Sequence, residues 1–141
     1  MIHRSLLLLC LIVPIAVSAE PCTVKTKNKN IEDEMRLILR TEECPDSDRR
    51  VVKVFLQRGA VRPQLLLKKT RALSDSPTGG ASFINLDSGR TPEIELTGYC
   101  SQPNCEYDIY KLTENNESIY HFYSGSYSLI SKTENYLELI S

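Results

Sequence analysis

Beyond Asn30 the apolar residues of this chain recur at intervals of two more often than three or four, which is the period of half-buried strands. Met35, Leu37 and Leu39 alternate with Arg36 and Arg40, and Val52, Val54 and Leu56 face one way while Lys53 and Gln57 face the other. The second run is rich in β-branched residues, and both runs read as strands. Between them Cys44-Pro45-Asp46-Ser47-Asp48 has turn chemistry, because Pro fixes φ while Asp and Ser hydrogen-bond the local backbone, so a hairpin is predicted. Leu65-Leu66-Leu67 lacks alternation, as in a strand covered on both faces, with a helical segment as the alternative. The run from Ser74 to Gly80 contains Pro77 and two adjacent glycines and is expected to be a loop within one domain. Further strands are expected over 81–86, 92–97, 106–112, 118–123, 126–131 and 135–140. Short strands at this spacing predict an all-β fold, an antiparallel β-sandwich or barrel-like meander.

The N-terminus breaks this pattern. A basic start at His3 and Arg4, an unbroken apolar run from Leu6 to Val13, and small residues at Val17 and Ala19 are the parts of a cleaved signal peptide, residues 1–19. The run is shorter than the roughly 18 apolar residues that a membrane helix needs, and no later stretch approaches that length, so no membrane insertion is expected. Residues 20–141 are then a single β-rich domain.

Export changes the reading of the cysteines. Of five in the chain, Cys10 falls in the signal, leaving Cys22, Cys44, Cys100 and Cys105. Four thiols in an oxidising compartment allow three pairings. We favour Cys22 with Cys44 and Cys100 with Cys105, worth roughly 3 and about 2 kcal/mol by loop closure. Zinc is disfavoured: Cys100 and Cys105 have ligand-like spacing, but they lack a second matching pair, and His121 is the only histidine after the signal.

Charge excludes one class of partner. Loss of Arg4 with the signal moves the formal net charge from −1 to −2, and Lys25, Lys27 and Lys29 form a small cluster without interleaved aromatics, so no nucleic acid is expected. That segment is expected to be a solvated, frayed end. The chain lacks a nucleophile elbow, a phosphate loop and a zinc-protease helix motif. His121, between Tyr120 and Phe122, reads as a surface or packed histidine. Glu93 and Glu95 are the one carboxylate pair set for acid/base work on a glycan. With Ile94 and Leu96 between and after them, they instead fit an amphipathic strand with its polar face in water. No enzyme activity and no cofactor are expected. The seven tyrosines, concentrated in the second half, suit strand cores and recognition surfaces alike.

Two resemblances add to this reading. The segment from Phe83 to Leu96 resembles the acidic turn of FG-GAP or VCBS-type repeats, found also in small bacterial periplasmic proteins. The resemblance places Asn85, Asp87 and Glu93 at calcium-ligand positions. Gly89 stands where a third ligand would be and Arg90 replaces the glycine, so a metal-free structural turn is expected. The stretch from Thr97 to Tyr110 continues the likeness, with a short cysteine-bounded loop ahead of an aromatic strand. Ser124-Gly125-Ser126-Tyr127 is similar to the S-G-x-Y loop of periplasmic lysozyme inhibitors. That likeness implies target binding by Ser124, Gly125 and Tyr127, with the serine and tyrosine hydroxyls meeting the lysozyme's catalytic carboxylates. The companion Y-x-x-x-T-x-G element of those inhibitors has no copy here, and a plain hairpin turn is the alternative.

Together these features point to an exported binding protein, periplasmic in a bacterium and extracellular in a eukaryote, where Asn116-Glu117-Ser118 would accept a glycan. The expected function is a periplasmic inhibitor or immunity protein whose partner is a muramidase or other cell-wall hydrolase. The alternative is a non-enzymatic structural or ligand-binding module of the cell envelope.

Overall fold

The computed structural model describes residues 18–87, 89–101 and 104–126, together with the backbone of 128–132 and 137–140. The signal peptide predicted over 1–19 therefore lies almost wholly outside the described residues. The fold is all-β, as the alternation predicts. Strands β1 (Thr23–Glu32), β2 (Met35–Cys44), β3 (Arg49–Arg58) and β4 (Gln64–Arg71) form one antiparallel sheet in that order. Strands β5 (Ala81–Ile84), β6 (Glu93–Ser101), β7 (Asn104–Leu112) and β8 (Ile119–Gly125) form a second, also in chain order. A hairpin of β9 (Ser128–Lys132) and β10 (Leu137–Ile140) follows. Among the described residues no helix is long and apolar enough to cross a membrane.

The sheets share one core, because the inward positions of each strand are apolar. Leu37 and Leu39 of β2 and Val52, Val54 and Leu56 of β3 cluster with Ile94 and Leu96 of β6 and Tyr110 and Leu112 of β7. Complete burial of each Leu or Ile contributes about 1.5–3 kcal/mol. The predicted turn after β2 is a single 3-10 turn over Pro45–Ser47, closed by Asp48 in the left-handed region (φ 46°) with its N–H on the Pro45 carbonyl. Both favoured disulfides are present, Cys22–Cys44 tying the start of β1 to the end of β2 and Cys100–Cys105 bridging β6 and β7.

Three expectations are corrected. Lys25, Lys27 and Lys29 do not lie in a frayed end. They belong to β1, which pairs with β2 from Thr23 onward. Lys27 stands opposite the core residue Leu39 and Lys29 opposite Leu37, so these lysines lie on the inner face of an edge strand. Inward-pointing charge of this kind protects an edge from pairing with another chain, and the aliphatic stems cover apolar surface. The apolar period is absent for that reason.

The leucine run is likewise an edge strand and not one covered on both faces: Leu65 is 49% exposed. Val54 pairs with Leu67 and Phe55 with Leu65, so Leu66 is the extra residue of a β-bulge. The bulge lets both Leu66 and Leu67 pack against the core, which accounts for their lost alternation. Finally, the cysteine-bounded stretch is the end of a long hairpin and not a separate loop, since Cys100 pairs with Cys105 and Ser101 with Asn104 across β6 and β7.

Candidate functional site

Period two dictates what β7 and β8 present. Asp108 shares a face with Tyr110 and Leu112, pointing toward the inter-sheet space, while β8 places Ser124 opposite Asp108 and His121 opposite Tyr110. Asp108 is the hub of the resulting cluster. Its Oδ1 accepts from the Ser124 hydroxyl at 2.6 Å and meets His121 Nε2 at 3.3 Å, and its Oδ2 accepts from the Arg71 guanidinium of β4. His121 also packs its ring against Tyr110, 5.2 Å between centroids. Burial raises the Asp108 carboxyl, but the Ser124 hydroxyl, Arg71 and His121 together outweigh it and hold the group below its ordinary value.

Ser, His and Asp side chains therefore meet, but not as a nucleophile and its base. Ser124 and His121 converge on the same carboxylate oxygen, and the Ser124 proton is directed to Asp108 and not to the imidazole. What the arrangement does is fix the β8 end. Arg71 reaches it from the other sheet, passing beside Gly98 of β6, where a Cβ would lie 3.2 Å from the Glu106 carbonyl and in ordinary contact with Arg71 Nη1.

Of the residues implied by the S-G-x-Y resemblance, Ser124 is exposed and Gly125 ends β8. Gly125 has φ 149°, and a Cβ at that position would stand 2.9 Å from the Tyr123 hydroxyl. That hydroxyl donates to the Ser126 carbonyl at 3.0 Å, so Tyr123 folds back over the glycine. Tyr127 lies outside the described residues. β9 beyond it pairs with β10. Along β8, the terminal strand of its sheet, Tyr120 and Phe122 are 47% and 48% exposed. Lys111 sits over the Phe122 ring at 4.3 Å.

The acidic turn is built around an internal cation. Lys111 Nζ lies 3.3 Å from Glu93 Oε1 and 3.6 Å from Asp87 Oδ2. Glu93 Oε2 accepts from the Leu86 N–H at 2.9 Å and Asp87 Oδ1 from the Gly89 N–H at 2.8 Å. Asn85, the remaining ligand position in the resemblance, is exposed.

The expectation that Glu93 and Glu95 form a solvated polar face is overturned. Glu93 is buried at 2% exposure, and Glu95, opposite Ser82 and the fully buried Ile109, is half-buried. Burial pushes the Glu95 carboxyl up, against a hydrogen bond with Ser82. The reason is that the second sheet buries residues on its outer face as well, so alternation there no longer separates core from water. Among the described residues, the grouping of metal-ligating atoms that stands out is Cys22, Glu42 and Cys44, and both of its sulfurs are joined in the disulfide.

Sequence reasoning passed over Arg50, Arg71 and Asp108. Arg50 is buried at 2% exposure, bonding Glu43 Oε1 at 2.8 Å and the Ser76 carbonyl and hydroxyl at 3.0 Å each. The signal was available: Arg50 continues the Val52, Val54, Leu56 face by one step of two, as Asp108 continues that of Tyr110 and Leu112. No protein-family model matches the chain, and neither a curated protein nor a solved structure shows significant similarity to it.

Proposed function

We propose that this chain is an exported binding protein whose β8 end engages and blocks a peptidoglycan-cleaving enzyme of the lysozyme type. The observation that carries the reading is the exposed aromatic pair Tyr120 and Phe122 on a terminal strand whose opposite face is held by the Ser124–Asp108–Arg71 cluster. Aromatic rings with a polar neighbour form the anchors of protein interfaces, and bracing before the target arrives lowers the ordering cost of binding. The target class comes from the S-G-x-Y resemblance, in which serine and tyrosine hydroxyls meet a carboxylate pair. Ser124 donates its one hydroxyl proton to Asp108 at 2.6 Å, and on binding it exchanges that acceptor for a carboxylate of the target.

The test is peptidoglycan turnover by several muramidases with and without the purified, disulfide-intact protein. Inhibition is expected, lost in Tyr127→Ala and weakened about tenfold or more in Phe122→Ala, the range of an interface anchor. No inhibition of any muramidase removes the proposal. Co-purification with envelope components in place of a hydrolase favours the alternative, a non-enzymatic envelope module.

A further inference from the structure

The inner face of the first sheet changes character along its length. At one end it is apolar. At the other, cross-strand rows place Lys25 beside Thr41, Val52 and Lys69, and Glu43 beside Arg50 and Arg71. With Lys27 in the next row, five cations share that end with two carboxylates, Glu43 and Asp108, each already paired to an arginine. The excess positive charge borders a cleft of about 330 Å³ between β1–β2 and the connection leading into β5.

The walls of this cleft are donors. Lys25 and Lys27 come from β1, Thr41 from β2, and Thr78 and Thr97 from the approach to β5 and from β6. Lys27 spans the opening, donating to the Ala81 carbonyl at 3.0 Å, which leaves two of its three N–H groups for another partner. Gly80 faces open space, since a Cβ there would meet nothing within 4 Å. The one acid in the wall, Glu43, is neutralised by Arg50 at 2.8 Å. Behind Gly80 and Thr97, Arg50 and Arg71 line a gap too tight for water, and the buried Nη2 of Arg50 and Nε of Arg71 have no hydrogen-bond partner among the described residues. A buried guanidinium group with an unspent donor is costly unless negative charge lies nearby.

We propose that this cleft binds a phosphate group, free or carried on a sugar. Lysine ammonium groups and hydroxyls arranged around an opening suit a tetrahedral oxyanion. The planar arginine fork that selects carboxylates is here committed to Glu43, Ser76 and Asp108. Phosphate oxygens accept from Lys25, Lys27 and the hydroxyl wall, and the two lysine ammonium groups are the cleft's charge beyond the Arg50–Glu43 pair. The site borders β5, at the edge of the second sheet opposite β8, so phosphate and a β8-bound protein can be held together.

The experiment titrates inorganic phosphate, and separately glucose 6-phosphate, into the isotopically labelled, disulfide-intact protein at constant ionic strength while amide resonances are followed. Saturable shifts confined to Gly79, Gly80, Ser82 and the Lys25–Lys27 strand are expected. Lys25→Gln with Lys27→Gln should weaken binding about tenfold or more, as loss of charge-assisted hydrogen bonds does. Gly80→Glu, which adds a carboxylate where there is room for one, should abolish binding with the amide spectrum otherwise retained. Tighter binding of the sugar phosphate identifies an ester-borne ligand, and preference for the inorganic ion identifies a free one. Shifts that fail to saturate, that chloride reproduces, or that persist in both variants overturn the proposal.

Discussion

The guanidinium of Arg71, the last residue of β4, crosses the inter-sheet space to the carboxylate of Asp108 on β7. This ion pair links two sheets that are otherwise successive meanders, and it sits where the apolar core gives way to polar side chains. Its side chains are 31% and 16% exposed, so solvent screens the pair in part. Asp108→Asn should lower unfolding stability by about 1–2 kcal/mol, measured by denaturant titration at neutral pH.

The same carboxylate gives an acid dependence. Its folded value lies below the ordinary 3.8, so its contribution is complete above that value and is lost as pH falls below it toward the folded value. The wild-type denaturation midpoint should therefore fall more steeply below about pH 4 than that of Asp108→Asn. Parallel curves for the two proteins would remove Asp108 as a source of acid lability.

Much of the fold is legible because one rule, alternation, coincides with burial on the first sheet. Met35 to Leu39 and Val52 to Leu56 show it, and disulfide formation is legible in the even count of four cysteines after Cys10, although that count alone allows three pairings. Alternation fails where other physics takes over. β1 carries inward lysines whose charge guards an edge, Leu66 is displaced by a bulge, and Glu93 is buried on a face where polar residues usually meet water. The polar clusters were hidden for a further reason. Arg50, Arg71 and Asp108 are far apart in sequence, and only strand pairing and sheet packing bring them to their partners.

Glu93 is held by two groups at once, the Lys111 ammonium at 3.3 Å and the Leu86 N–H at 2.9 Å. Glu93→Ala leaves the Leu86 N–H without its acceptor and Lys111 with the more distant Asp87 alone, and should cost about 3 kcal/mol. Glu93→Gln keeps an oxygen for the Leu86 N–H and should cost less, about 1–2 kcal/mol. Calorimetric or denaturant unfolding of the two variants separates these values. Equal losses would show that the charge on Glu93 carries the whole contribution and that the neutral oxygen kept by Gln adds nothing.

Glu95 predicts the opposite sign. Burial lifts its folded value above 4.5, so the folded state takes up a proton more readily than the unfolded chain and stability falls as pH rises through that interval. At neutral pH the half-buried carboxylate is a net cost, offset only in part by Ser82. Glu95→Gln should raise the thermal midpoint at pH 7 and leave it nearly unchanged at pH 3.5, where both proteins are neutral at this position. A lowered midpoint at pH 7 would contradict this account.

The two disulfides should differ in worth. Cys22–Cys44 closes a loop with a sequence separation of 22 and Cys100–Cys105 one of 5. Loop-closure entropy assigns about 3 kcal/mol to the first and about 2 to the second. The larger bridge also fastens the edge strand β1 at its N-terminal end. The Cys22→Ser, Cys44→Ser variant should thus lose hydrogen-exchange protection in Thr23–Lys27 before the rest of the sheet, and Cys100→Ser, Cys105→Ser should not.

Two adjacent glycines should respond in opposite ways to the same change. A Cβ on Gly79 would lie 2.7 Å from Thr97 Cγ2 and 2.8 Å from Ser76 Oγ, the latter an acceptor for the buried Arg50. Neither neighbour can yield freely, because Thr97 also accepts from the Gly80 N–H at 3.1 Å. Gly79→Ala should therefore cost about 1–3 kcal/mol through overpacking. A Cβ on Gly80 meets nothing within 4 Å, so Gly80→Ala should be neutral or stabilising by up to about 1 kcal/mol through the unfolded chain. Denaturation midpoints of the two single variants test the contrast. Equal effects would mean that the loop before β5 is not pressed against Thr97 as described.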